Sequence, residues 1–245
     1  CGSPTGATIA GSSPRRAPWH GGSCATTRIS SGRNTPPCGR PSPAGSPPSR
    51  DCSTRERGHG VRIVAGELRG RRIAAPPGRD TRPTSDRVRE AVFAIIGPLD
   101  GLDVLDVFGG SGALALEALS RGAASATVVE RAPRAVACIR ANAESLGVTG
   151  RLRVVARDWR PALAAERAAG RWYGVCLVDP PYKMMSRILG DLGPALAAVT
   201  EPGGTVVIEH AAREPLPEVP GLDGPRTDRA YGDTAVCVIR PVGPA

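Results

Sequence analysis

Asp106–Leu119, DVFGGSGALALEAL, decides the fold. The apolar run LDVLDV that ends inside it, Leu102–Val107, reads as a strand, and ALALEALSRG beyond it has the periodicity of a helix. Between them stand Gly109, Gly110 and Gly112, which let a backbone turn tightly and approach a ligand before the helix begins. Strand, glycine turn and helix in that order read as a cofactor cradle. Taken alone the cradle suits two kinds of cofactor, because Gly110, Gly112 and Ala115 also satisfy the G-x-G-x-x-A dinucleotide fingerprint.

Downstream the pattern repeats. ATVVE (Ala126–Glu130), LRVVARD (Leu152–Asp158), WYGVCLVD (Trp172–Asp179) and GTVVIEH (Gly204–His210) read as strands. PRAVACIRANAESLG (Pro133–Gly147) and SRILGDLGPALAAV (Ser186–Val199) read as helices, the second broken by its glycines and proline. YGDTAVCVIRP, from Tyr231, reads as a strand whose upstream partner closes the sheet with an antiparallel hairpin. Strands of continuous Val, Leu and Ile alternating with helices indicate an α/β protein with a mostly parallel sheet covered on both faces.

Upstream of the cradle the texture differs. VRIVAGELRGRRIAA (Val61–Ala75) alternates as two short strands joined across the Gly66 to Gly70 turn, followed by a Pro76, Pro77, Gly78 break. TSDRVREAVFAIIG (Thr84–Gly97) then sets Val88, Ala91, Val92, Ile95 and Ile96 on one helical face, with Thr84 or Ser85 as cap, Gly97 as stop, and Arg87 and Arg89 on the polar face. Residues 1–60 hold ten Gly, nine Pro and ten Ser with no apolar periodicity, and are expected to be a disordered extension. Because the chain opens with Cys rather than Met, this segment also reads as sequence upstream of the functional start. Proline spacing weighs against a transit peptide there, and no anchor signal supports a lipoprotein beginning at Cys1. The expected divisions are therefore 1–60, 61–100 and 101–245.

The net charge of +9 is concentrated at the front of the chain. Residues 1–60 carry eight Arg against two acids and residues 61–100 eight against five, whereas the rest holds sixteen of each sign. Clustered Arg is the electrostatic footprint of a polyanion partner, although Arg makes up 31 of the 32 basic residues and such a bias also follows from nucleotide composition. Four of the seven Cys, Cys1, Cys24, Cys38 and Cys52, lie in the first segment without a C-x-x-C pair or a suitably spaced His, so no metal site is expected. Cys138, Cys176 and Cys237 fall in apolar runs and are expected to pack in a core. With no run of roughly 18 apolar residues and no secretory signal, a soluble, cytoplasmic chain without membrane association is expected.

Three further positions carry chemistry. Glu130 ends the strand after the cradle helix, where a carboxylate accepts from both hydroxyls of a ribose, of an adenosyl group or NAD alike. Asp158 ends the next strand, where it can receive an adenine amino group, or simply be a solvated strand-end residue. Trp159 beside it suits either stacking on that ring or packing of its helix. LVDPPY (Leu177–Tyr182) follows the fourth strand. Pro180 and Pro181 fix the backbone just outside the carboxyl edge of the sheet, where open α/β folds bind substrates. Asp179 and the carbonyls of that turn can accept from an amino group, and Tyr182 offers a face on which a base can stack.

DVFGGSGALALEAL, Glu130, Asp158 and DPPY together resemble the S-adenosylmethionine-dependent amino methyltransferases of class I, with a seven-stranded Rossmann-like sheet. RIVAGELRGRRI and TRPTSDRVREAVF, upstream, resemble one branch of them, the RsmD family of 16S ribosomal RNA guanine-N2 methyltransferases, and the resemblance runs from about Arg62 to Arg240. It implies S-adenosylmethionine as cofactor, its methionine end held by Asp106, Gly109, Gly110 and Gly112, its ribose by Glu130 and its adenine by Asp158. It implies a methyl-transfer site of Asp179, Pro180, Pro181 and Tyr182, approached past Arg82, Pro83 and Thr84. The partner would be ribosomal RNA or a partly assembled small subunit, contacted by Arg69, Arg71, Arg72, Arg82 and Arg87, and the chain is expected to act as a monomer. An adenine N6 methyltransferase of RNA or DNA is the nearest alternative.

Overall fold

The computed structural model describes residues 61–76, 85–181 and 184–242. The basic segment forms a small antiparallel hairpin, β1 (Val61–Arg62) and β2 (Arg72–Ile73), followed by helix α1 (Asp86–Ile96). Then come β3 (Asp103–Val107), α2 (Ala113–Ser120), β4 (Ser125–Val129), α3 (Pro133–Leu146), β5 (Leu152–Val155) and α4 (Trp159–Ala168). The chain continues through β6 (Tyr173–Val178), α5 (Met185–Ala197), β7 (Thr200–Ala211), β8 (Arg226–Tyr231) and β9 (Thr234–Ile239). Among the described residues no helix is long and apolar enough to cross a membrane.

Seven strands form one sheet in the order β5-β4-β3-β6-β7-β9-β8, parallel except for β9, which runs antiparallel to both its neighbours. This is the Rossmann-like class I methyltransferase architecture, preceded by the hairpin and helix. Every side chain of β6 is buried, as expected of a central strand covered on both faces. The chain leaves β3 toward β4 and returns to the other side of β3 with β6. Their carboxyl ends therefore diverge at a topological switch point, where such sheets leave a crevice.

Alternation along the strands divides the apolar residues between two layers. Val104, Leu177 and Val207 pack with α2, α3, α1 and the hairpin residues Val61, Ile63 and Ile73, while Leu105, Cys176 and Ile208 pack with α4 and α5. Two-residue strands are too short to hold a hairpin by themselves. Here α2 holds it. Glu117, fully buried, accepts from the Val64 and Ala65 amides at 2.7 and 3.0 Å, and Ser120 Oγ accepts from the Leu68 amide at 2.9 Å.

Three local expectations are corrected. Arg89 does not lie on a polar face of α1. It is 1% exposed, and its Nη2 donates to the Arg62 carbonyl at 2.7 Å and to Asp86 Oδ1 at 2.6 Å, so hydrogen bonding offsets the burial of the charge. α5 is one continuous helix through Pro194, because the buried residues Leu189, Leu192 and Leu196 span the proline and keep one face on the sheet. Cys138 is only half-buried and donates from Sγ to the Ala74 carbonyl at 3.2 Å, whereas Cys176 and Cys237 are buried as expected.

On α4, Glu166 is 2% exposed and gathers Arg153, Arg171 at 2.7 Å and, from the start of β6, the Tyr173 hydroxyl at 2.7 Å. Burial pushes the Glu166 carboxyl up, but the hydrogen bonds from Arg153, Arg171 and Tyr173 outweigh it and hold the group at about 2.

Candidate active site

The glycine turn has two different reasons for its glycines. Gly110 and Gly112 have φ of 55° and 79°, in the left-handed region that L side chains rarely adopt, and Gly112 is the N-cap of α2. Gly109 is needed for packing against the sheet: a Cβ there would sit 2.1 Å from Val128 Cγ1. Phe108, at the head of the turn, holds φ 72° with a large side chain, a conformation that costs about 1–3 kcal/mol and clusters at functional sites. Asp106, 1% exposed at the end of β3, accepts from the Ala115 amide at 3.1 Å and so ties the strand to the first turn of α2.

Over this turn opens a cavity of about 810 Å³, within the usual range for small-molecule sites. Asp106, Gly109, Gly110, Glu130, Asp158, Asp179, Pro180 and Pro181 all line it. Gly112, the N-cap of α2, is not among the residues that line it. Glu130 accepts from the Gly110 amide at 3.0 Å through Oε2 and from the Ala132 amide at 2.7 Å through Oε1, which fixes the plane of its carboxylate. Asp158 caps α4 by accepting from the Arg160 amide at 3.1 Å, and its other oxygen lies 3.6 Å from Arg131. Trp159 is 3% exposed and packs in the α4 and α5 layer, and it also borders the cavity.

Two polar atoms of the lining residues are buried without a hydrogen-bond partner among the described residues: Asp106 Oδ1 and Trp159 Nε1. Burial pushes the Asp106 carboxyl up to about 7, aided by the charges of Asp179 and Glu130 and opposed by the Ala115 amide. An orphaned acceptor among three carboxylates suits a ligand that brings a positive charge. The amino acid end of S-adenosylmethionine carries an ammonium and its ribose carries the hydroxyls that Glu130 would receive, so the residues present fit that cofactor.

The proposed RNA-contacting residues divide. Arg69, Arg72 and Arg87 are exposed and form no ion pair among the described residues, whereas Arg71 donates to the Ser145 carbonyl at the end of α3 at 2.6 Å. Arg82, Pro83, Thr84 and Tyr182 lie outside the described residues. Sequence reasoning missed Phe108, Ala75, Pro76, Arg131 and Arg157, all of which line the cavity. It also missed Asn142, whose amide joins Ala74 to Ser111. A signal for Asn142 was present: it falls on the buried stripe of α3 with Ala135, Ile139 and Leu146, where a polar residue needs partners.

The family model for conserved hypothetical protein 95 matches residues 61–240. The chain is 37% identical over 187 residues to a putative rRNA methyltransferase, YlbH, of Bacillus subtilis, covering 75% of this chain and all of that protein. It is 33% identical over 181 residues to ribosomal RNA small subunit methyltransferase D of Escherichia coli K12, covering 71% of this chain and 87% of that one. Among solved structures, a putative methyltransferase from Escherichia coli, yhhF, superposes with a TM-score of 0.65 at 29% identity, covering 76% of this chain and 99% of that one. These relatives are named as methyltransferases, which removes the dinucleotide reading of the glycine turn. With its cradle, its acid-lined cavity and its seven-stranded sheet, the chain belongs to the conserved hypothetical protein 95 family and is a class I methyltransferase related to the ribosomal RNA small subunit methyltransferase D proteins.

Proposed function

We propose that this protein transfers a methyl group from S-adenosylmethionine to the exocyclic N2 amine of a guanine in small-subunit ribosomal RNA. The observation that carries the reading is the Asp179-Pro180-Pro181 turn at the rim of the cavity that also holds Asp106 and Glu130. An acceptor fixed by two prolines at the carboxyl edge of β6 suits a substrate with N–H donors, and an exocyclic amine has two. The relatives' names supply the RNA, and the exposed Arg69, Arg72 and Arg87 supply charge to bind it.

Asp106 and the turn from Gly109 to Gly112 would hold the methionine end of the cofactor, Glu130 its ribose and Asp158 its adenine. When bound, S-adenosylmethionine supplies an electrophilic methyl on a sulfonium. The guanine amine is a weak nucleophile because its lone pair is delocalised into the ring, so positioning carries much of the catalysis. Asp179 and the Pro180 carbonyl accept from its two N–H bonds, aim the lone pair, and stabilise the positive charge that develops as the N–C bond forms. The S–C bond would break with its electron pair staying on sulfur, giving neutral S-adenosylhomocysteine, and the nitrogen then releases one proton to solvent and is left as a neutral secondary amine. Tyr182 supports the base, which must be unpaired or flipped out for its amine to be reached. In this reading residues 61–100 contact RNA, residues 101–245 carry the chemistry, and the chain acts as a monomer.

Nucleoside mass spectrometry of ribosomal RNA from cells with and without this protein tests the reading. Loss of one N2-methylguanosine from the small-subunit RNA is the expected result. An unchanged guanosine profile with loss of N6-methyladenosine would favour adenine as the target instead.

A further inference from the structure

We propose that Asn142 is a positioning residue that couples occupancy of the cofactor cradle to the grip of the hairpin on RNA. The proposal rests on the reading of the site as an RNA methyltransferase. Asn142 is 3% exposed, and both ends of its carboxamide are hydrogen-bonded. Oδ1 accepts from the Ala74 amide at 2.8 Å, and Nδ2 donates to the Ala74 carbonyl at 2.9 Å and to the Ser111 carbonyl at 2.9 Å. Giving to two carbonyls while taking from one N–H requires a carboxamide. Asp cannot donate, and an apolar side chain of the same shape can do neither.

The two segments joined are distant in sequence and adjacent at the site. Ser111 lies between Gly110 and Gly112 in the turn and lines the cavity. Ala74 directly follows β2, two residues after Arg72, and the next residues, Ala75 and Pro76, form part of the cavity wall. Cys138, one turn earlier on α3, donates to the same Ala74 carbonyl at 3.2 Å. One amide therefore sets the exit of the basic hairpin against the glycine turn.

Phe108, Gly110 and Gly112 all have positive φ, and Ser111 between them lines the cavity, so a ligand seated on the turn bears on the Ser111 backbone. Fixing the Ser111 carbonyl fixes the Asn142 amide, and that amide fixes Ala74 and the wall beside it. RNA binding at the hairpin then meets a frame already ordered, which is cooperativity without a large structural change. By linkage the effect is reciprocal: RNA tightens cofactor binding by the same factor.

The test is binding of a fluorescent small-subunit RNA fragment with and without saturating S-adenosylhomocysteine, in the wild type, Asn142→Asp and Asn142→Ala, with melting curves for each. Asn142→Asp keeps the shape and the acceptor but loses both donations. The wild type should bind RNA at least about fivefold tighter with S-adenosylhomocysteine, the lower end of ordinary coupling. Both variants should bring that ratio to one, while affinity for RNA alone stays within about threefold of wild type. A purely structural role would lower the melting temperature and leave the ratio intact. A folded variant that keeps the wild-type ratio overturns the proposal, as does a wild type whose ratio is one. RNA that the wild type neither binds nor methylates would overturn the functional reading together with this one.

Discussion

Replacing Asp106 by Asn should make the protein more stable above neutral pH and a poorer binder of cofactor, two effects of opposite sign from one carboxylate. Burial, aided by Asp179 and Glu130, raises the group from its ordinary 3.8 to about 7 in the folded protein. Between these values the native state keeps a proton that the unfolded chain has released, so native stability falls as pH rises through that window and levels off above it. Each pKa unit corresponds to about 1.4 kcal/mol, so the cost at pH 8 reaches about 4 kcal/mol. Asn keeps an oxygen for the Ala115 amide, now at 3.1 Å from Asp106, and carries no charge. Urea unfolding without cofactor should show the Asp106→Asn variant more stable than wild type at pH 8, with the difference closing toward pH 4. Calorimetry should show S-adenosylmethionine binding weakened at least about tenfold, the loss of a charge-assisted contact. A variant less stable than wild type at pH 8, or a wild type with the same stability slope as the variant between pH 4 and 7, would refute the reasoning.

Glu130→Ala should weaken S-adenosylhomocysteine binding by more than about tenfold in calorimetry, since charge-assisted hydrogen bonds contribute about 1.5–3 kcal/mol each; unchanged affinity would remove Glu130 from the site. Replacing Arg69, Arg71 and Arg72 together by Ala should flatten the slope of log RNA affinity against log salt by about 2–3, and leave cofactor affinity alone. An unchanged slope would move the RNA surface elsewhere. Glu166, held at about 2 after its hydrogen bonds outweigh burial, contributes stability that is present above about 4.5 and lost as pH falls toward 2. Glu166→Gln should cost about 2 kcal/mol at pH 7 and flatten the acid unfolding curve, and a variant with the wild-type acid slope would show that Glu166 does not govern it.

The sheet was legible because its parallel strands are covered on both faces and so read as unbroken apolar runs: Tyr173–Val178 is buried throughout. The glycine turn, Glu130 and Asp179 were legible for a related reason. Strands end at the crevice, so the acids that close them arrive there together. Arg89 was misread because helical periodicity separates polar from apolar residues only when one face meets solvent. On α1 the hairpin reaches Arg89, the Arg62 carbonyl and Asp86 receiving its guanidinium, while Arg87 and Glu90 stay exposed. Pro194 suggests a break because local propensity says nothing of the leucines on either side that bury against the sheet. The link through Asn142 to the Ala75–Pro76 wall depends on contacts between segments far apart in the chain, Ala74 with Asn142 and Ser111 with Asn142, which no local pattern encodes.

The most direct test of the central claim is single-turnover methyl transfer to unmodified small-subunit ribosomal RNA with saturating S-adenosylmethionine, read by nucleoside mass spectrometry for wild type and Asp179→Ala. The wild type should form N2-methylguanosine, and Asp179→Ala should lose about a hundredfold to a thousandfold in rate while its cofactor affinity stays near that of the wild type. Near-normal transfer by Asp179→Ala, or a methyl found on adenine N6, a ring nitrogen or a ribose oxygen, would contradict it.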